Sequence, residues 1–428
     1  VEPAWLVPHF EKMLYDNALL ADLYLEAAVV FDYPRYAELA ADTLDFLIRD
    51  MSGTEGGFYS SFDADSGGVE GSFYLWSPDE IVEATGPEEA ASLASVLGVG
   101  DRGNFEGKSI LTRRNEDPAD PDSPEARLFQ KHRLALRAYR SERVWPTLDR
   151  KIITAWNGLA ITALAQGYAA LSEPRYLKAA ERAAEFLWHK HRRTDGTLMR
   201  ASNQGQAEHE GVLDDYAFFA RGLMALYTAS GDDRHLQRAL KLIEIVRGRF
   251  AHPDGGFYTT PKGHEAPLGR QVELLDHARP SGNAVMLQVL LRAAALTGND
   301  DFRQDLHRSL GKVAGIMQRA GLEMAWWYDV ALLQAGPFYE VVIAGEAASP
   351  DTSMLTSLVR RKQPPHVVLA TVPAQGPSNR LQDLLPPTQG KTAIQGKATA
   401  YVCKAGSCKL PTADPAKLKQ QLLDGWSH

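Results

Sequence analysis

Cysteine is almost absent: Cys403 and Cys408 are the only two in 428 residues. Two thiols cannot build a disulfide framework, and a reducing compartment fits that usage best. Their separation lacks the second ligand pair of a zinc site and is not the redox CxxC spacing, so they read as structural thiols or one local disulfide. No uncharged apolar run approaches the ~20 residues that span a bilayer, and the N-terminus carries no basic segment followed by an apolar signal core. A soluble, cytoplasmic protein with no membrane partner is expected. Positive charge is not in excess either. Lys and Arg number 46 against 54 Asp and Glu, a net charge of -8, with a pI near 5.9. That leaves no basic footprint for nucleic acid. A glycine-rich phosphate loop with its lysine is also missing. Neither a cofactor nor a metal is expected, and partners are sought among small molecules and proteins. The chain opens Val1-Glu2-Pro3 without methionine, so it reads as a fragment, and any targeting signal is expected upstream.

What is present is helical periodicity, with enough apolar content (44%) for a large core. Apolar spacing predicts helical pairs at 9–31 with 34–51, 154–171 with 174–191, 214–230 with 232–250, and 280–297 with 300–319, then a last helix over 323–333. The members of each pair differ in kind. Asn157-Gly158-Leu159-Ala160-Ile161-Thr162-Ala163-Leu164-Ala165 is apolar or small almost all round, whereas the stretch from Arg175 to Leu187 is amphipathic with charged faces. Alternation of fully buried and half-exposed helices describes an inner and an outer ring, an α/α toroid over residues 1–335. Four hairpins and one unpaired helix fall short of six hairpins, so the first hairpin is expected upstream. From Gly336 the pattern turns to short β-branched runs, Phe338 to Gly345 and His366 to Ala370, with a third at Ala398 to Val402 and a helix from Asp414 to Leu423. Residues 336–428 are therefore expected to form a small α/β domain.

One stretch crowds aromatics and carboxylates onto a glycine hinge, from Gly56-Gly57-Phe58-Tyr59 through Asp63, Asp65, Ser66-Gly67-Gly68 and Glu70 to Trp76. A β-hairpin about Ser66-Gly67-Gly68 is the natural reading, since glycine tolerates backbone angles other residues avoid. It would gather Asp63, Asp65 and Glu70 beside Tyr59 and Trp76. An echo at Gly255-Gly256-Phe257-Tyr258 follows another long helix and suggests a repeated unit.

Each inner helix begins with a polar and aromatic cluster. Trp5, His9, Glu11 and Asp16 introduce the first, Trp156 and Asn157 the second, and Asp214, Asp215 and Tyr216 the third. Asp276, His277, Arg279, Ser281 and Asn283 introduce the fourth, and Trp326 the fifth. Parallel inner helices would bring these starts to one funnel. Aromatic faces stack on sugar rings while carboxylates and amides bond hydroxyls, which suits a carbohydrate. The same residues have structural uses: Asp214, Asp215 and Ser281 are helix-capping types, and Asp63 and Asp65 are turn types. Two carboxylates among Asp63, Asp65 and Asp215 would serve acid and base hydrolysis. His9 and His277 would instead serve proton removal and return, the work of an epimerase or isomerase. A non-catalytic scaffold for a glycan or a protein segment is the competing class.

The motifs Pro8 to Ala18, Phe62 to Ser66 with Glu70 to Trp76, Lys151 to Leu159, Asp214 to Phe218 and Arg279 to Asn283 together resemble the thioredoxin-domain-containing family that includes the spermatogenesis-associated thioredoxin-like proteins. That resemblance covers essentially the whole chain. It implies an N-terminal thioredoxin-like domain followed by a barrel similar to six-hairpin glycosidases and N-acylglucosamine 2-epimerases. The thioredoxin-like domain has no counterpart within these residues and is expected upstream.

Overall fold

The computed structural model describes residues 5–112, 123–265, 267, 269–347, 349–362, 365–404 and 406–423. In chain order the helices are Leu14–Val30 (α1), Pro34–Asp50 (α2), Pro78–Thr85 (α3), Pro87–Val96 (α4), Pro124–Ser141 (α5), Thr154–Leu171 (α6), Pro174–Phe186 (α7) and Leu213–Ser230 (α8). They continue as Asp233–Arg249 (α9), Gly282–Thr297 (α10), Asp300–Ala320 (α11), Ala325–Ala335 (α12), Pro350–Lys362 (α13), Asn379–Leu384 (α14) and Pro415–Leu423 (α15). Two compact units share them. One is Val1–Met13 with Tyr59–Arg150, the other Leu14–Phe58 with Lys151–His428.

In the larger unit the protein is mainly α, of α/α toroid type. Helices α1, α6, α8, α10 and α12 pack side by side in sequence order, and each of the first four is backed by the helix that follows it: α2, α7, α9 and α11. The inner members are apolar on nearly every side; every residue of α10 from Gly282 to Leu291 is buried. The backing helices bury one stripe, as α9 does with Leu236, Ala239, Leu242, Ile243 and Val246. Two glycines set the closest approach of the inner helices. A Cβ at Gly158 would lie 2.5 Å from the Phe218 carbonyl carbon, and one at Gly222 would lie 2.9 Å from the Gly158 oxygen, so α6 and α8 meet backbone to backbone. The turn from inner to outer helix is short because Ser172, Gly231 and Gly298 end the inner helices in the left-handed conformation.

The glycine-aromatic repeat is a stitch between consecutive hairpins. Asn157, in the first turn of α6, accepts from Phe58 N at 2.7 Å and donates to the Phe58 and Ile153 carbonyls at 2.9 and 3.0 Å. Asn283 of α10 repeats this, accepting from Phe257 N at 2.7 Å and donating to the Phe257 and Glu273 carbonyls at 3.0 and 2.9 Å. At α8 the Tyr216 hydroxyl accepts from Leu198 N at 2.8 Å. Thus the turn leaving α2, α7 or α9 is fastened to the start of the next inner helix.

After α12 the chain forms a sheet in the order Val367–Val372, Tyr339–Ala344, Thr399–Lys404, Ser407–Cys408. The first two strands are parallel, with α13 as their crossover; the third runs antiparallel to Tyr339–Ala344. Leu355 and Val359 of α13 and Leu418 and Leu422 of α15 cover one face in a shared core with Val341, Ile343 and Leu369. Cys403 and Cys408 stand opposite each other on adjacent strands and are joined as a disulfide, which decides between the two readings of this pair.

The smaller unit has a three-stranded sheet of Lys12–Met13, Ser61–Phe62 and Leu148–Asp149. The hairpin about Gly67-Gly68 is formed, both glycines at positive φ, with Asp65 opposite Glu70. Helices α3 and α4 break at Gly86-Pro87 and pack with α5 around Ile81, Leu93, Leu97 and Leu136.

Removing one stitch tests the repeat. Asn283→Ala leaves the Phe257 N–H and buried carbonyls unpaired and is expected to lower unfolding stability by about 2–3 kcal/mol. Asp63→Ala, at an exposed turn, is expected to stay within about 0.5 kcal/mol. Urea denaturation of both variants checks the contrast, and equal effects would remove the special role of the amide.

Candidate functional site

Of the residues expected in a funnel, Trp5, His9, Glu11, Tyr59, Asp63, Asp65, Glu70 and Trp76 fall in the smaller unit. Trp5 is exposed and at positive φ. His9 is exposed, its Nε2 3.4 Å from Glu11. Asp63 accepts from the Asp65 backbone N–H at 3.2 Å, a local turn bond, and Asp65 and Glu70 extend into solvent. Tyr59 is half-buried. Trp76 is in the core rather than on a ligand-facing wall, with the Arg143 guanidinium 4.4 Å above its ring.

The larger unit holds the rest, and several converge at the starts of the inner helices. Asp276 accepts from Ser281 N at 2.8 Å and from Trp326 N at 3.0 Å, tying the start of α10 to that of α12. Asp214 accepts from Arg279 at 3.2 Å; burial pushes its carboxyl up and Arg279 pulls it back. Gly282 leaves room for this carboxylate, since a Cβ there would meet Asp214 Oδ1 at 2.3 Å. Asp215 is fully buried, accepting from Ala155 N at 3.0 Å and Val212 N at 2.9 Å. Burial pushes that carboxyl up to about 7, against the two N–H groups and Arg200. Asp16 lies in the first turn of α1. Trp156 meets Tyr15 edge-on at 4.8 Å. His277 stays exposed, 3.0 Å from Glu273. Asp215, Asp276, Asn157, Asn283 and Tyr216 thus use their polar atoms on backbone groups.

One to two turns deeper, the inner helices together with α13, the C-terminal sheet and α15 line an open cavity of about 850 Å³. A chain of hydrogen bonds crosses its wall. Arg221 donates to Asp22 at 2.9 Å and to Gln288 at 3.1 Å, and Gln288 donates to Asp329 at 2.7 Å, linking α8, α1, α10 and α12. The Arg221 guanidinium also sits 4.9 Å over the Trp326 ring. Glu26 and Arg292 complete the polar wall. Burial, then the Asp22 charge, push the Glu26 carboxyl up to about 7, while Arg221 and Arg292 pull it down and Asp329 pushes it up. Glu26 is nonetheless exposed to solvent, which screens these influences and moderates the rise. Among the described residues Asp22 Oδ1 is buried without a hydrogen-bond partner, while burial and Arg221 push the Arg292 guanidinium down and the charges of Asp329, Glu26 and Asp22 push it up.

Sequence reasoning directed at helix starts passed over Asp22, Glu26, Arg221, Gln288, Arg292 and Asp329, which are interior to their helices. The available signal was a lone charge in an apolar run, as in Ala217-Phe218-Phe219-Ala220-Arg221-Gly222-Leu223 and Leu290-Leu291-Arg292-Ala293-Ala294. A buried charge demands a partner or a purpose.

Fold and cavity together define an α/α toroid protein with a polar-walled bore and a C-terminal α/β segment. No family model matches the chain. Its sequence is similar to Spermatogenesis-associated protein 20 of Homo sapiens, 32% identical over an alignment of 463 residues that covers 98% of this chain and 58% of that protein. The Mus musculus protein of the same name is 30% identical with the same coverage. The chain therefore spans somewhat over half the length of these relatives. Among solved structures, the cellobiose 2-epimerase from Spirochaeta thermophila DSM 6192 superimposes with a TM-score of 0.46 at 14% identity, covering 74% of this chain and 62% of its own. No helix among the described residues is long and apolar enough to cross a membrane.

The raised Glu26 carboxyl has a definite sign in stability. Its folded value, about 7, lies above the ordinary 4.5, so between these the folded state holds a proton that the unfolded state has released. The stability this confers is full below about pH 4.5 and is lost as pH rises through about 7. Glu26→Gln is expected to flatten the decline in unfolding free energy between pH 5 and 8, leaving the share due to Asp215. Denaturant titrations at four pH values check this, and an unchanged slope would reject it.

Proposed function

We propose that the toroid unit is carbohydrate-active, seating a sugar in the bore beside Trp326 and acting on it with carboxyl groups. The observation that carries this is the wall in which Asp22, Arg221, Gln288 and Asp329 are joined by hydrogen bonds, with Arg221 lying over the Trp326 indole. An aromatic face beside carboxylate, amide and guanidinium groups matches the alternating apolar and hydroxylated surfaces of a sugar. Glu26, whose carboxyl is pushed up toward about 7, stands near Asp22, which Arg221 holds in an ion pair. Unlike carboxyls of this kind are what acid-assisted glycosidic cleavage uses. A histidine-based epimerase or isomerase has less support: His9 and His277 are exposed beside their own glutamates, and no histidine is among the described residues lining the bore.

A second reading, a non-catalytic scaffold for a glycan or protein segment working with a thioredoxin-like domain, is favoured by the occupied state of the helix-start residues. Asp215, Asp276, Asn157 and Asn283 hold backbone together. The thioredoxin-like domain rests on the family resemblance and a cytoplasmic setting on the scarcity of cysteine; both are parts of the proposal.

Proton NMR in D2O of mono- and oligosaccharides incubated with the protein separates the readings. New reducing-end signals are expected, with Glu26→Gln slowing their appearance roughly 100-fold or more, the usual scale of a general acid. Deuterium entering a sugar carbon would instead establish the epimerase chemistry. Saturable binding without turnover would select the scaffold, and a folded protein that binds no sugar would end the carbohydrate reading.

A further inference from the structure

The bore changes character with depth. Along α1 the lining steps by four residues from Asp22 to Glu26 to Val30, along α10 from Gln288 to Arg292 to Leu296, and along α12 from Asp329 to Leu333. Helical periodicity puts each series on one face. Each series passes from polar or charged to aliphatic toward the helix C-terminus. Beyond Leu296 and Leu333 the wall is supplied by the C-terminal segment, with Val359 of α13, Val367 and Leu369 of the sheet and Leu422 of α15, and with Arg360 and Lys419 as the charged members among them. At about 850 Å³ the cavity is near the upper end of the ~300–1,000 Å³ usual for small-molecule sites. Sugar hydroxyls pushed into the aliphatic end would lose their hydrogen bonds without replacement. A sugar by itself therefore matches only the polar half.

We infer that the bore takes an amphiphilic carbohydrate, a hydroxylated head between Asp22, Gln288 and Arg292 with an aliphatic alkyl or acyl chain against Leu296, Leu333 and Leu422. The junction between the halves supports a neutral head. Asp22 Oδ1 is an acceptor without a hydrogen-bond partner, and Arg292 is a donor that feels the charges of Asp329, Glu26 and Asp22; a hydroxyl gives one proton and accepts another, so it serves both sides of this junction. The inference rests on the carbohydrate reading of the same bore and adds the chain. It also assigns Leu358, Val359, Val367, Leu369 and Leu422 a part in substrate choice, since they line that end.

The test is the affinity of the protein for n-alkyl β-D-glucopyranosides from methyl to octyl, below their micellar concentrations, read by tryptophan fluorescence, with octan-1-ol as the headless control. Dissociation constants are expected to fall by up to roughly fourfold per added methylene, the scale of a buried methylene. Leu333→Trp and Ala169→Phe, which fill the bore from different helices, are each expected to abolish that dependence; circular dichroism shows which of them fold. Methyl and octyl glucosides binding equally would overturn the inference and leave the carbohydrate reading standing. Octan-1-ol binding as well as octyl glucoside would keep the aliphatic site and overturn the carbohydrate head. Failure of every probe to bind would overturn both.

Discussion

The side-chain amides of Asn157 and Asn283 hold the larger unit in its ring. Each accepts one backbone N–H and donates to two carbonyls, in a place closed to water. Only an amide offers an acceptor and two donors in one planar group. Because the bonded turn closes one hairpin and the amide belongs to the next, each bond fixes the position of a hairpin relative to its successor. Gly158 and Gly222 then let α6 and α8 close to backbone contact. Cooperation between such local stitches and close helix packing is what aligns the inner helices along a common bore.

That alignment has an electrostatic consequence. Asp22, Arg221, Gln288 and Asp329 come from four helices, and none would be tolerated alone in an apolar interior. Brought to one level they bond one another, leaving Asp22 Oδ1 without a hydrogen-bond partner and Arg292 among the charges of Asp329, Glu26 and Asp22. Glu26, a turn further along α1, has its carboxyl pushed up first by burial and then by the Asp22 charge. The polar band and the aliphatic end of the bore are thus products of the same ring, seen at two depths.

Much of the fold was readable in the order of residues. Apolar residues on every side of α6 and α10, and on one stripe of α7 and α9, placed these helices in inner and outer layers before any contact was known. The Gly67-Gly68 hairpin and the change to strands after Gly336 followed from local backbone preferences. The recurrence of Gly-Gly-Phe-Tyr marked a real repeat, although its function is a bond to the next helix. The site was far less readable. Polar residues at helix starts are equally suited to ligands and to backbone groups, and Asp215, Asn157 and Asn283 are used on backbone.

What the sequence alone determined is which residues share a face, because helical and strand periodicities are properties of a single segment. Only the tertiary structure decided which faces meet. Arg221 lies one residue from Gly222 and 199 from Asp22, and nothing local records that the second is its partner. Cys403 and Cys408 likewise became a disulfide through the register of two strands. Side-chain pairing across elements depends on helix order, close approach and burial acting together, and these arise only when the whole unit has folded.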